Sequence, residues 1–307
     1  MVTELRLGRT QSRPRRPLGL YPYVSILPTL LVVAMISIYP LIFALDLSLH
    51  RNVLTEPLAH PFVGLRNFAE TFGSYYFLRS LLTTLRFTAM IIVGTIAYGI
   101  AVSLFLNRPG RLAATARLAI LLPWAIPTVM AAIMWRWIFN GNFGVLNALL
   151  TWVGLIPEYI SWLGNPNLAP LTLVVTHVWK WGPLAAIMCL ATLQVIPRDL
   201  YEAAYIDGGG GWSAFRYITL PFLRPTILLL LVLETISGFV TFDLIYVLTG
   251  GGPADATTML AWYAYAEIFR FLNLGKGAAL AFVIGALTLG LAMIYVRLLR
   301  SEELYST

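Results

Sequence analysis

Residues 202–225 read EAAYIDGGGGWSAFRYITLPFLRP, a polar and glycine-rich stretch inside an otherwise oily chain. Just upstream, Pro197 suits a first helical turn, Asp199 and Glu202 fall near the positive end of the helix dipole, and Leu200, Ala203 and Ala204 share a face. The pattern predicts a short helix over Pro197 to Ile206. Gly208 is placed to end it, since the left-handed cap is a conformation few other residues tolerate. Ser213 can then cap a second short helix that carries Phe215 and Ile218 and stops at Pro221, with Pro225 opening the next apolar segment. The expectation is a helical hairpin on a membrane surface. Composition alone also fits a plain connector, but a connector does not need Glu202, Asp207, Gly208 and two prolines at these separations.

Outward from this hairpin the chain is apolar in both directions. Of 307 residues, 59% are hydrophobic and only 11% charged, and the mean hydropathy of +0.78 lies outside the range of a soluble domain. A bilayer core takes roughly 20 apolar residues per helix. Six stretches qualify: Val24 to Leu47, Thr84 to Leu106, Leu118 to Phe139, Leu171 to Val195, Thr226 to Leu248 and Ala278 to Leu298. Backbone polar groups in lipid must be satisfied within each segment, so these are expected to be helices. The fold expected is an all-α polytopic membrane protein. A basic segment, residues 1–23, precedes a six-helix domain over residues 24–298, which contains the loop 197–225, and a tail of residues 299–307 follows.

The net charge of +7 is mostly arginine. Arg6, Arg9, Arg13, Arg15 and Arg16, then Arg108, Arg111 and Arg117, then Arg198, Arg216 and Arg224, then Arg297 and Arg300 fall on one side of the alternating spans. The positive-inside rule puts both termini and the 197–225 loop in the cytoplasm. Residues 140–167 have no lysine or arginine, and Trp135, Trp137, Trp152 and Trp162 are expected near the opposite headgroups as aromatic anchors. The segment Arg51 to Ser80 reads as a partly helical cap on that outer face. Basic residues that flank spans give no nucleic-acid signature. The first span contains Pro28 and Pro40 and lacks a small-residue cleavage site, which argues for an uncleaved helix over a signal peptide.

Soluble-enzyme chemistry is missing from the pattern. Gly208 to Gly211 run into Trp212 and Ser213, so no phosphate loop forms, and no histidine or cysteine cluster has zinc spacing. No catalytic or metal-binding residue is expected, and the lone Cys189 lies in an apolar run. What stands out instead is ionisable side chains inside spans, each costing about 3 kcal/mol at the bilayer centre. Glu234, Ser237, Gly238 and Thr241 fall at i, i+3, i+4 and i+7, a polar stripe on one face of the fifth span. His177, Lys180, Trp181 and Leu184 repeat that spacing on the fourth. Two such stripes could line a hydrated path with hydrogen-bond partners and an aromatic platform. The alternative for Lys180 is a structural ion pair with an acidic partner. Asp243 would lie opposite Glu234 and serve packing or an interface. Pro123 and Pro127 are expected to kink the third span.

The 202–225 stretch resembles the EAA signature of permease subunits of binding-protein-dependent, ATP-driven importers: Glu-Ala-Ala, two residues, Asp-Gly, then Phe215, Ile218, Leu220, Pro221 and Pro225 in register. Gly209 departs from it where the family usually has alanine, and would loosen the turn. FVGLRNF (62–68), LLPWAIPTVMAAIMWRWIFNGNFGVLN (121–147), VWKWGP (178–183) and FDLIYVLTGGGPADATTML (242–260) resemble sugar-importer permeases, and the last favours the first of the two permeases, the maltose and glycerol-phosphate F/A-like type, over its partner. The resemblance implies a type I importer permease fold, MetI-like, with residues 197–225 as a coupling loop whose short helix docks on an ATPase. Glu202, Ala203, Ala204, Asp207 and Gly208 would be its contacts. It places the two polar stripes on sugar-contacting positions. It implies a second related permease, two identical ATPase subunits that hold ATP and magnesium, and an extracytoplasmic sugar-binding protein, in a bacterial or archaeal inner membrane. This chain itself would bind no cofactor. The competing expectation is a secondary transporter driven by protons or sodium through Glu234, Asp243 or His177.

Overall fold

The computed structural model describes residues 21–56, 60–107 and 110–303. The basic residues Arg6, Arg9, Arg13, Arg15, Arg16 and Arg108, and the end of the tail from residue 304, lie outside the described residues. Regular structure among the described residues is helical, with two isolated β-bridges, His50 to Phe62 and Val53 to Asn273. In chain order the helices are α1 (Tyr21–Val33), α2 (Tyr39–Leu49), α3 (Arg66–Phe72), α4 (Tyr75–Leu106), α5 (Arg111–Ala119), α6 (Leu122–Ala125), α7 (Thr128–Ile138) and α8 (Val145–Trp152). They continue as α9 (Ala169–Leu193), α10 (Arg198–Ile206), α11 (Gly211–Ala214), α12 (Leu220–Val240), α13 (Asp243–Leu248), α14 (Leu260–Phe269) and α15 (Leu274–Glu303).

The chain divides into two compact units, residues 1–46 and 47–307. In the first, α1 runs through a π-helical turn, Ala34–Ile38, into α2. Tyr39 N–H reaches the carbonyl of Ala34, one residue farther back than in an α-helix. The turn ends two residues before Pro40. Proline lacks an N–H and crowds the carbonyl four residues back, so a locally widened helix carries it without breaking. The same device recurs in the second unit, where the π turn Phe215–Thr219 ends two residues before Pro221 and Leu220 N–H bonds to Phe215.

Five helical stretches are long and apolar enough to cross a membrane: Val24–Leu49, Tyr75–Leu106, Ala169–Leu193, Gly211–Val240 and Leu274–Tyr295. A sixth is broken. Thr115–Ala125 and Thr128–Ile138 meet at 94°, so the third expected span is two arms joined at Pro127, a far larger change of direction than a proline kink. The second span starts nine residues before the expected Thr84, and its first turns accommodate Arg79, which bonds to the carbonyl of Ala254 at 2.7 Å. The sixth starts at Leu274, and its first turn accommodates Lys276, which pairs with Glu267 at 2.8 Å. The fifth differs at both ends. It begins at Gly211 and runs through Pro221 and Pro225 by way of the π turn, and it stops at Val240, where Thr241 turns to ψ 113° before α13 sets off separately.

Three apolar clusters hold the second unit together. Phe87 and Ile91 of α4 meet Leu173 of α9, Ile245 of α13 and Trp262 of α14. Phe77, Phe239, Leu260 and Leu280 join α4, α12, α14 and α15. Ala185, Cys189 and Leu193 of α9 meet Leu223 and Leu230 of α12, with Tyr201 and Ile218 leaning in. Two buried asparagines fix the loops. Asn67 donates to the carbonyls of Ser48 and His50 at 2.8 and 2.9 Å, seating α3 in the expected cap. Asn147, fully buried, donates to the carbonyl of Ile160 and accepts from Ile160 N–H and from Trp162 Nε1. Trp162 therefore points inward, and Trp135 packs on Phe139 and Trp179. Only Trp137 and Trp152 of the four expected anchors present exposed rings. Hydropathy could not separate the two pairs, because an indole packs equally well against lipid or protein.

Candidate functional site: an intramembrane cavity and a surface helix

Helices α9 and α12 enclose, with α7 and α13, a cavity of about 550 Å³. His177, Lys180, Trp181 and Leu184 enter it from α9, and Glu234 and Ser237 from α12. Thr241 joins them from the break after α12. Seven of the eight expected pathway residues thus share one space. Gly238 does not. It is buried against α4, where a Cβ would stand 2.3 Å from Thr88 Oγ1 and 2.9 Å from Thr88 Cβ. Its task is close helix packing, which spacing alone cannot separate from a polar lining role. Asp243 is also corrected. Extrapolated along an unbroken helix it falls opposite Glu234, but the turn at Thr241 returns it to line the same cavity.

The two stripes are joined by a direct bond. His177 Nε2 and Glu234 Oε2 are 2.7 Å apart, with side chains 2% and 6% exposed. The imidazole is braced edge-on by Phe87 and lies at 29° to Trp181, with centroids 6.2 Å apart. This pairing orients both groups, so the remaining carboxylate oxygen and the indole face are held in fixed positions. The alternative of an ion pair for Lys180 with an unnamed acid is not what the structure shows: Glu234 bonds to His177. Lys180 Nζ donates to the carbonyl of Trp124 at 3.2 Å and to that of Ile126, both at the break in the third span. The ammonium also lies 5.6 Å from the Trp181 ring centroid. Among the described residues no group of three or more His, Cys, Asp or Glu side chains could hold a metal ion.

At the other site, α10 starts at Arg198 with Pro197 as its N-cap and ends at Asp207. Gly208 follows at φ +80°, the left-handed cap that the sequence demanded. Gly209 N–H bonds to the carbonyl of Ala204 at 2.7 Å, and a Cβ at Gly209 would sit 2.7 Å from that same oxygen. In this backbone the position is therefore tight, and a side chain there would force the return to shift, so Gly209 is not a source of looseness. Gly210 and Gly211 face open space. The following helix opens at Gly211, with Gly210 at the N-cap, so Ser213 lies inside it and the expected cap and the stop at Pro221 are both displaced. Tyr201 Oη and Thr219 Oγ1, 2.9 Å apart, tie the two arms. The outer side of α10 carries no buried residue, and Tyr205 and Ile206 are 70% and 85% exposed. Arg198, Tyr201, Glu202, Tyr205 and Ile206 line a shallow groove. Ala203 is exposed and Ala204 half-buried.

The architecture is thus a set of membrane-length helices, one of them broken, around a mainly apolar cavity into which a few polar and ionisable groups project, with a short exposed helix between two spans. Residues 90–301 match the family described as binding-protein-dependent transport system inner membrane component. The chain belongs to that family. It is 38% identical over 278 residues to the trehalose/maltose transport system permease protein MalF of Thermococcus litoralis, which covers 90% of this chain and 92% of the relative. It is 36% identical over 276 residues to the sulfoquinovosyl glycerol transport system permease protein SmoG of Agrobacterium fabrum, covering 90% and 89%. A crystal structure of a bacterial ABC transporter involved in import of the acidic polysaccharide alginate superposes with TM-score 0.78 at 23% identity, covering 92% of this chain and 95% of that one. The fold is that of a type I ABC importer permease. The chain is a multi-pass inner-membrane permease subunit, and in this class ATP hydrolysis lies in a separate subunit.

Proposed function

We propose that this chain forms half of the translocation path of a sugar importer and binds the sugar in the α9–α12 cavity. The observation that carries this reading is the convergence of His177, Lys180, Trp181, Glu234, Ser237 and Thr241 on one space of about 550 Å³, large enough for a mono- or disaccharide by the usual span of 300–1,000 Å³ for ligand pockets. Hydroxyl-rich ligands need donors, acceptors and a flat apolar face together. Glu234, Ser237 and Thr241 supply oxygens, Lys180 a donor and Trp181 the platform. The names of the relatives, which concern trehalose, maltose and a sulfoquinovosyl glycerol, support a carbohydrate.

In this reading α10 is the coupling helix on the cytoplasmic side, with both termini on that side. Its exposed Tyr205 and Ile206 and the acidic Glu202 and Asp207 dock in a cleft of an ATPase, whose subunits hold ATP and magnesium. Exposed apolar side chains on an otherwise polar surface helix mark such a contact. A second permease completes the path and an extracytoplasmic binding protein delivers the sugar. The test is ATPase stimulation and uptake by the purified complex in proteoliposomes, across a panel of neutral and acidic sugars with the cognate binding protein. Uptake that requires ATP and follows the binding protein's preference supports the proposal. Uptake by this chain without an ATPase, collapsing with the proton or sodium gradient, would transfer the role of His177 and Glu234 to ion coupling and overturn it.

A further inference from the structure

Lys180 is the twelfth of 25 residues in α9, about 18 Å from either end at 1.5 Å per residue, and its residue is 6% exposed. A charge there needs a structural reason. Backbone accounting at the break in the third span supplies one. Ala125 N–H bonds to Leu121, Ile126 N–H to Pro123 and Ala131 N–H to Pro127, but among the described residues no backbone N–H reaches the carbonyls of Trp124 or Ile126. Pro127 has no N–H, and the 94° turn carries the first N–H groups of α7 away from the residues before it. Two orphaned carbonyls inside a membrane protein cost several kcal/mol unless partnered. Both are taken by one group, the Lys180 ammonium.

We infer that Lys180 is a positioning residue: its ammonium keeps the third span broken by satisfying the two carbonyls that the break releases, and so sets one wall of the substrate cavity. An ammonium has three donors, and two are engaged. The third is left for an oxygen in the cavity, whose lining includes both Lys180 and Thr128, the first residue beyond the break. A sugar that recruits this donor draws on the same group that holds the bend. Occupancy of the cavity and the angle of the third span are thereby linked through one side chain. The link to sugar rests on the proposed function, whereas the role at the break does not.

The test measures the bend directly. Leu118 and Trp137 are exposed, one on each arm. In a Cys189→Ala background, spin labels at these two positions in the assembled transporter report the distance across the break by pulsed electron resonance. Arms of about 8 and 11 residues meeting near a right angle put the labelled backbone sites about 20 Å apart, against about 28 Å for one straight helix. Lys180→Met should move the distribution outward by several ångströms or broaden it across that range, and Lys180→Arg, which keeps two or more donors, should hold it at the wild-type position. Should Lys180→Met alone fail to accumulate, Lys180→Met with Pro127→Ala returns an N–H to the break and lets the helix close, and the longer distance is expected. A wild-type distribution in either variant overturns the inference. If ATP-driven sugar uptake is absent from the wild-type complex while Lys180→Met still lengthens the distance, the proposed function fails and the positioning role stands. Weaker sugar uptake in Lys180→Met with an unchanged distance makes Lys180 a ligand only.

Discussion

Removing the carboxylate of Glu234 separates what the His177–Glu234 pair does for the fold from what it does for transport. The bond is 2.7 Å long and both side chains are nearly inaccessible, so Glu234→Ala leaves an imidazole without its partner inside the membrane domain. Breaking a buried pair of this kind costs about 3–5 kcal/mol in soluble proteins. Both residues line the cavity, where the freed group has open space beside it, which places the expectation at the lower end, about 3 kcal/mol. With an unfolding entropy of roughly 2 cal/mol/K per residue, a chain of this length should lose about 5 °C in midpoint. Glu234→Gln keeps a carbonyl and an amino group, one of which suits either imidazole tautomer, and should stay within about 1 kcal/mol of wild type. The double variant His177→Leu with Glu234→Leu removes both polar groups and should recover most of the stability, yet fall at least tenfold in sugar uptake. The assay is thermal unfolding of the purified complex alongside proteoliposome uptake. Full uptake by the double variant would refute the placement of this pair in the path. Equal destabilisation by Gln and Ala would refute the hydrogen-bond argument.

Glu202→Lys reverses the charge on exposed α10 and should abolish stimulation of the ATPase by the binding protein while insertion and stability stay within about 0.5 kcal/mol, as for ordinary surface changes; unchanged stimulation removes Glu202 from the coupling contact. Gly238→Val places a branched side chain where Thr88 Cβ is already 2.9 Å from an added Cβ, so overpacking of about 1–3 kcal/mol outweighs any relief of glycine's poor helix propensity. Adding Thr88→Ala should restore part of that loss in a thermal scan, and no restoration would mean that the α4–α12 contact is not the cause.

Much of the architecture was legible because its physical cause is local. Five of the six apolar stretches became unbroken spans, the first, fourth and sixth within a few residues of the expected bounds, and the α10 hairpin with Gly208 at φ +80° followed from proline, acidic first turn and glycine in order. Where the reading failed, the deciding contact came from elsewhere in the chain. The third span reads as one apolar stretch from Leu118 to Phe139, broken in charge only at Arg136 near its end, and hydropathy does not register that Lys180, 54 residues beyond Ile126, satisfies the carbonyls of its break. The end of α12 at Val240 had no sequence marker comparable to a proline. Gly238 shares the helical spacing of Glu234 and Ser237, yet a glycine reads alike whether it faces a cavity or a neighbouring helix. Gly209 looked expendable because the oxygen that excludes a side chain there belongs to the backbone of Ala204.

By itself the sequence determined that the chain crosses a membrane several times, that two spans carry polar groups at helical spacing, and that a short acidic helix stands apart between them. Those properties depend on transfer to lipid, on 3.6-residue periodicity and on caps, each set by residues within a turn or two. Only the tertiary structure decided which polar group answers which: His177 takes Glu234, and Lys180 takes the backbone of a broken helix. A buried donor is satisfied by whatever acceptor the packing brings within about 3 Å, and that depends on how helices from distant parts of the chain meet.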